Sequence, residues 1–341
     1  PKCKSKEFEP EKDVLDTWFT SSMTPRIAIE LMPKELWDKL FPLSLRPQAS
    51  EIITFWLFNT VVKSNLHYNK NPFEHVMVSG FVTLGGQKMS KSRGNIVEPQ
   101  EINEKYGADA LRYWAASSKL GEDIEYQEKE IIAGKKFITK IWNASKFLFA
   151  NFNYSEKAEL VEMDRIFLAK LNELIETCTE SFKKYEYAQA KSKVDNFFWH
   201  DFCDNYLEIV KNRIYQGTRE EKESAQYTLY NSLLAILKMM APITPFITEE
   251  IYQTYFKKHE KDKSIHISHW PEKLKIEENK DDGEKLELLF QLLGKVRQEK
   301  SKAQKSMKAE IILHIEKKDK ENLKPVLDDL KSVTSAREIK E

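Results

Sequence analysis

Cysteine is nearly missing from this chain, which has three in 341 residues, at Cys3, Cys178 and Cys203. That spacing supports neither a disulfide framework nor a complete metal site, and it suits a reducing, cytoplasmic setting. Glycine (10) and proline (12) are also scarce, which disfavours a turn-rich sheet protein and favours helices. Neither sign of charge is in excess: 54 lysines and arginines balance 54 aspartates and glutamates. A polyanionic partner therefore has to be argued from local basic patches, because there is no global field. No run of about 18 apolar residues occurs, so no membrane span is expected. The opening residues, PKCKSKEFEPEK, lack the apolar core of a signal peptide. They begin with Pro1, in what reads as a continuing domain, so a fragment or processed product is expected.

What is present suits folded domains. Hydrophobic residues make up 41% and charged residues 32% of the chain, enough for real cores under well-solvated helices, and the length suggests two or three domains. Residues 75–84 (HVMVSGFVTL) predict one buried strand ended by Gly85-Gly86. Residues 51–63 (EIITFWLFNTVVK) are apolar at nearly every position, and their length favours a buried helix. Residues 109–114 predict another helix. Long amphipathic segments then follow over 127–152, 163–184, 187–215 and 221–256. Phe137, Ile141, Ala144, Phe147 and Leu148 illustrate the helical spacing. The last segment should break at Pro242 and Pro245, since proline lacks an amide donor and clashes with the preceding turn. Four such elements describe a helical bundle. Residues 257–285 are charge-dense and read as a linker with a strand-like island at 265–270. Beyond 286, a strand pattern and a helix pattern suggest a small α/β or helical appendage. No internal repeat is found.

The sharpest chemical motif is Lys88-Met89-Ser90-Lys91-Ser92, followed by Arg93-Gly94-Asn95. Two lysines three apart, with two hydroxyls on a flexible loop, suit a triphosphate, for which lysine is a mobile point charge. Their effect is greatest where charge develops on a departing pyrophosphate. In its context, HVMVSGFVTLGGQKMSKSRGN resembles the second signature of the class I aminoacyl-tRNA synthetases. DVLDTWFTSS (13–22), RPQASEIITFW (46–56), YGADALRYWAA (106–116), WNASKF (142–147) and MAPITPFITEEIY (240–252) resemble, in that order, segments of the valyl, isoleucyl and leucyl subgroup. The likeness covers roughly residues 1–270 and is greatest to the valyl family of archaeal-like type.

That resemblance implies an α/β region followed by an all-α region. Residues 1–120 would be the C-terminal half of a Rossmann-like catalytic domain with the KMSKS loop. Residues 121–270 would be a helical anticodon-binding domain, and 271–341 a linker and small appendage. The reaction would be ATP-dependent esterification of L-valine to its tRNA, with Mg2+ accompanying ATP. Lys88 and Lys91 would be catalytic, stabilising the triphosphate together with Ser90 and Ser92. Main-chain groups of Val78, Gly80, Val82 and Met89 would meet the adenine. Trp18 and Trp56 would wall the aliphatic side chain, and Ile52 would pack on the substrate or the adenylate. Glu51 would face the substrate ammonium, where valyl enzymes more often carry Asp. Gly134, Lys135, Lys136, Lys140, Asn143 and Lys146 would form a tRNA-binding face, with Trp142 beside them read as core. Lys191, Lys193, Lys211, Arg213 and Arg219 are further basic candidates.

Two features of the family are not found. The only close histidine pair, His266 and His269, lacks the glycine of the His-x-Gly-His signature, and no segment resembles the inserted editing domain. Inactivity of the isolated chain is therefore expected. Cys3 stands where related enzymes often carry a zinc knuckle, but one thiol cannot build a tetrahedral site, so no metal is expected. The rival readings are an isoleucyl or leucyl enzyme and a non-catalytic tRNA-binding module that keeps the loop as a relic.

Overall fold

The structure, a computed structural model, describes residues 6–341 apart from Phe8, Leu15, Asn151 and Tyr154. The expectation for Cys3 lies outside the described residues. Two compact units are present: one is formed by residues up to 96 with 118–126, the other by 97–117 with 127–341.

The first unit opens with α1 (Thr17–Ser21), α2 (Thr24–Glu30) and α3 (Trp37–Leu40). Strand β1 (Leu43–Ala49) leads through a tight turn and a wide helical turn (Ile53–Leu57) into α4 (Phe58–Tyr68), and β2 (Phe73–Ser79) returns beside β1. The pairing is parallel, from Leu43 opposite Phe73 to Ala49 opposite Ser79, as expected of strands joined by a helix. The expected helix over 51–63 exists, but it is not buried all round. Trp56, Thr60, Lys63 and Ser64 form one inward stripe at helical spacing, while Phe55, Phe58 and Leu66 are exposed.

The single strand expected over 75–84 is two strands. After β2, the chain enters β3 (Val82–Leu84), which pairs with β4 (Gln87–Lys88) on one side and β5 (Ile124–Glu125) on the other. The break falls at Gly80, where a Cβ would lie 2.1 Å from the Glu122 carbonyl oxygen. On either side, Val78 C=O accepts from Gly121 N–H at 2.9 Å and Phe81 N–H donates to Asp123 at 2.7 Å. The 118–126 segment thus redirects the strand, a long-range effect that local hydrophobicity does not reveal.

The second unit is helical. It contains α5 (Pro99–Tyr106), α6 (Ala108–Ala115), α7 (Glu128–Ala150), α8 (Glu162–Lys183), α9 (Tyr187–Asn196), a wide-turn stretch (Phe197–Tyr206), α10 (Leu207–Gln216), α11 (Arg219–Met240) and α12 (Pro245–Ile251). The four long segments read from the sequence appear within a few residues of their expected limits, and the prolines separate α11 from α12. Phe137, Phe167, Phe198, Tyr206, Leu237 and Tyr252 are fully enclosed in one core. Residues 97–117, read from the sequence with the first domain, pack in this unit. Gly134 lets α7 lie against α6, where a Cβ would come within 2.9 Å of the Ala110 carbonyl oxygen. Arg112 donates to the Ile243 and Pro242 carbonyls at 3.0 and 2.8 Å. Asp109 accepts from the Phe246 and Ile247 amides at 3.3 and 2.7 Å, a carboxylate placed at the positive start of α12.

Residues 257–281 form neither a loose linker nor a strand. Ile265–Ile267 is one turn of 3-10 helix, and the following segment straps across α8. Trp270 Nε1 donates to Thr179 Oγ1 at 2.9 Å. Asn172, fully buried, accepts from Leu274 N–H at 2.7 Å and donates to its carbonyl at 3.0 Å. Then come α13 (Asp282–Lys302), β6 (Ile311–His314), α14 (Lys317–Asn322), α15 (Leu327–Thr334) and β7 (Ala336–Lys340), with β6 and β7 parallel. Of the two forms expected, this piece takes the α/β one, but it is no separate appendage: Leu286, Leu293, Leu313 and Leu330 belong to the bundle's own core. A buried ionic network joins the two. Asp164 accepts two bonds from Arg213 at 2.7 Å each and one from Tyr206 Oη at 2.5 Å, while Arg213 Nε donates to Asp329 on α15 at 2.9 Å. Among the described residues, no helix is long and apolar enough to cross a membrane.

Candidate functional site

The lysine loop hangs from the β3–β4 hairpin. Thr83 faces Lys88 and Leu84 faces Gln87, which leaves Gly85 and Gly86 as the two-residue turn. Both carry positive φ, 61° and 73°, the backbone that such a hairpin requires and glycine supplies. The turn is held by Glu125, which accepts from Gly85 N–H at 2.6 Å. After β4, Asn95 folds the loop on itself, accepting from Ser90 N–H at 2.8 Å and donating to the Lys88 carbonyl at 3.2 Å. Lys91–Arg93 is a single 3-10 turn closed by Gly94 at φ 69°. The Ser90 and Ser92 hydroxyls are 2.7 Å apart. Two ammonium groups and two hydroxyls thus share one short, pinned loop, and Lys88 and Lys91 are both exposed.

The two lysines differ. The Lys88 ammonium is paired with the Glu51 carboxylate and lies over the Phe81 ring, 4.1 Å from its centroid. No ion pair involving Lys91 is found among the described residues. Of the main-chain positions read as adenine contacts, Met89 N–H bonds Val82 C=O at 3.2 Å, so these two groups already serve the hairpin. The Val78 carbonyl is engaged with Gly121, and Gly80 sits at the strand break.

The amino-acid candidates lie on neighbouring elements. Trp56 is 6% exposed, donates from Nε1 to the Ser21 carbonyl at 3.1 Å, and has the Arg46 guanidinium 3.9 Å above its ring. Trp18 is 39% exposed and stacks with Phe55 at 6.4 Å. The hydrogen bond joins the α1 end to the Trp56 segment, but each indole takes a different aromatic neighbour, since Trp56 lies 6.0 Å from Phe73. Ile52 is half-buried in the turn next to Glu51.

Three polar residues of this unit escaped the sequence reading. Arg46 Nε and both ends of the Gln48 amide are buried without a hydrogen-bond partner among the described residues. Burial also lowers the Arg46 pKa. Lys63 is buried, donates to the Phe19 carbonyl and stands over the Phe19 ring at 3.1 Å, and desolvation lowers its pKa. For Lys63 the available signal was a charge in a segment that is apolar at nearly every position; β1, LSLRPQA, is too polar to single out Arg46 and Gln48.

On α7, Lys136, Asn143 and Lys146 are exposed and Lys140 is half-buried, with Lys136, Lys140 and Asn143 on one face by helical spacing. Trp142 packs against the core beside Tyr255 at 5.9 Å. Lys140 also lines a cleft of about 880 Å³ between α10, α13 and the C-terminal piece, with Lys211, Arg297, Lys308 and Tyr215 among its walls. Five cations and two carboxylates line that cleft. Two of the further basic candidates serve other ends. Lys191 is buried over the Tyr113 ring at 3.5 Å, its pKa lowered by desolvation, and Arg213 is the centre of the internal ionic network. Neither is presented to a partner. Arg219 is exposed and pairs with Glu223 at 2.7 Å, Lys211 pairs with Glu208 at 2.5 Å, and Lys193 is half-buried.

Comparison with known proteins matches both units. Residues 2–127 match the family described as tRNA synthetases class I (I, L, M and V), and residues 164–313 match the anticodon-binding domain of tRNA ligase. A valine–tRNA ligase of Rickettsia felis is 41% identical over 98% of this chain and 41% of the relative. That of Methanothermobacter thermautotrophicus is 38% identical over 96% of this chain and 37% of the relative, and that of Wolbachia pipientis wMel is 40% identical over 90% and 37%. The chain therefore spans about 40% of the length of the curated relatives it matches. Among solved structures, a LeuRS–tRNA–LeuAMS ternary complex from Agrobacterium radiobacter K84 superposes with a TM-score of 0.61 at 20% identity, covering 77% of this chain and 33% of that one, a likeness of fold.

Proposed function

This chain belongs to the class I tRNA synthetases (I, L, M and V), and on that premise we propose that the activity it serves in the whole protein is ATP-dependent joining of valine to tRNA. The observation that carries the choice of valine is the identity of about 40% to valine–tRNA ligases over nearly the entire chain. Within that activity, Lys88 and Lys91 hold the triphosphate of ATP. Their loop is pinned at its base by Asn95, so both cations are presented from one short loop. Ser90 and Ser92 add hydroxyl donors beside the two ammonium groups, so the side chains of this loop meet a phosphate with donors. Mg2+ enters with ATP, on the nucleotide's own phosphates. Trp18, Ile52 and Trp56 remain the wall of the aliphatic site, and Glu51 the partner of the substrate ammonium. The setting is cytoplasmic.

The second unit binds tRNA. Lys136, Lys140, Asn143 and Lys146 face outward on α7, and the face continues through Lys140 into the basic cleft. Cations supply salt-dependent phosphate contacts there, while exposed rings such as Tyr215 offer a surface for an unstacked loop base. Filter binding tests this reading with the chain itself: a valine tRNA binds with an affinity that falls as salt rises, and more tightly than a tRNA with an unrelated anticodon. Equal affinity for both RNAs counts against it.

A further inference from the structure

Two charges assigned above to different ligands meet each other. Lys88, on the hairpin, is the cation for a phosphate, and Glu51, in the turn after β1, is the anion for an ammonium. In this structure they form one ion pair. Resting on that reading of the loop, we propose that Glu51 is a shared counter-charge whose pairing with Lys88 couples nucleotide binding to amino-acid binding.

The reasoning is electrostatic. A phosphate that recruits Lys88 draws its ammonium away from Glu51. The carboxylate is then left without its cation and is ready for the ammonium of an amino acid. In the other direction, an ammonium arriving at Glu51 displaces Lys88 and frees it for phosphate. Each ligand alone must break the pair, whereas both together break it once. The second ligand therefore binds more tightly than it does alone, and linkage requires the effect to be equal in both directions. Lys91, with no ion pair among the described residues, meets the phosphates without this cost, so the two lysines of the motif are not equivalent.

The size of the effect follows from exposure. The Lys88 and Glu51 side chains are 44% and 55% exposed, so the pair has the strength of a solvated surface ion pair. That corresponds to about a two- to five-fold change in affinity, and it fades as salt screens the charges.

The test is calorimetric titration of the full chain with Mg2+ and the non-cleavable analogue β,γ-methylene-ATP, with and without saturating L-valinol. Valinol carries the ammonium but no carboxyl group to activate. In the unaltered protein, valinol is expected to tighten nucleotide binding two- to five-fold at low salt. Glu51→Gln is expected to bind the nucleotide two- to five-fold more tightly without valinol and to gain nothing from adding it. A Glu51→Gln protein that keeps the valinol effect, or an unaltered protein without one, overturns the proposal. Lys88→Gln and Lys91→Gln separate the two levels. If they weaken nucleotide binding while valinol has no effect on the unaltered protein, only the shared carboxylate is lost. If they leave nucleotide affinity unchanged, or the unaltered chain binds no nucleotide at millimolar concentration, the phosphate reading is lost with it. A melting curve on Glu51→Gln checks that this exposed substitution leaves the fold intact.

Discussion

At Gly80 the α-carbon has room for hydrogen and nothing larger, because the obstacle is the Glu122 main chain and not a movable side chain. Gly80→Ala is therefore expected to lower the stability of the first unit by about 1–3 kcal/mol, the usual cost of overpacking. Urea unfolding followed by tryptophan fluorescence measures this; an unchanged midpoint would argue against the tight turn between β2 and β3. Asp164 presents the converse case. It is fully buried and satisfies Arg213, Tyr206 and Ser224 together. Asp164→Ala leaves a buried guanidinium short of its partner, and a loss of about 3–5 kcal/mol is expected; a loss below about 1 kcal/mol in chemical denaturation would contradict the network. At this scale the sequence revealed the residues but not their company. Lys88 and Lys91 were legible because their motif is contiguous. Arg213 and Lys191 looked like any surface cation, since the partner of Arg213 lies 49 positions away in α8 and that of Lys191 is an aromatic ring in α6. The Lys88–Glu51 pair, separated by 37 positions, was likewise out of reach.

Among the elements, the long helices were read most directly, because a 3.6-residue period repeats over several turns and proline marks the stops. The misread elements were short or depended on distant neighbours. Residues 75–84 satisfy the pattern of one strand, and only the 118–126 segment divides it. Residues 257–281 are polar enough to read as a linker, yet Trp270 and Leu274 anchor them to α8 through side chains of that helix. For α7, the outward lysines give a direct expectation. Lys136→Glu and Lys140→Glu should each weaken tRNA binding and flatten the dependence of log affinity on log salt by about one unit for every phosphate no longer neutralised. Filter binding across a salt series reads this; an unchanged slope in both variants would remove α7 from the RNA surface.

Across the second unit, the bundle and its C-terminal piece share one core, and the ionic link between α10 and α15 gives that union a pH signature. Burial pushes the Asp329 carboxyl up to about 6, against the opposing pull of Arg213. A carboxyl group whose folded pKa is raised contributes stability at low pH and loses it as pH rises through the folded value. The stability advantage of the unaltered protein over Asp329→Asn is therefore expected to fall by about 1 kcal/mol between about pH 5 and pH 7. Denaturation midpoints of both proteins at the two pH values measure this, and a difference that grows with pH contradicts it. The order of an α/β region and a helical bundle was legible throughout. The grouping of residues 97–117 with the bundle was not, because it rests on interactions of Gly134, Arg112 and Asp109 that form only in the fold.

The phosphate role of the Lys88–Lys91 loop is tested most directly by comparing dissociation constants for a non-cleavable ATP analogue and for AMP, in the unaltered chain and in the Lys88→Gln/Lys91→Gln double variant. Charged hydrogen bonds to phosphate of ordinary strength imply at least a tenfold loss for the triphosphate, with AMP affinity unchanged. Equal triphosphate affinity in the two proteins, or the same loss for both nucleotides, would contradict it.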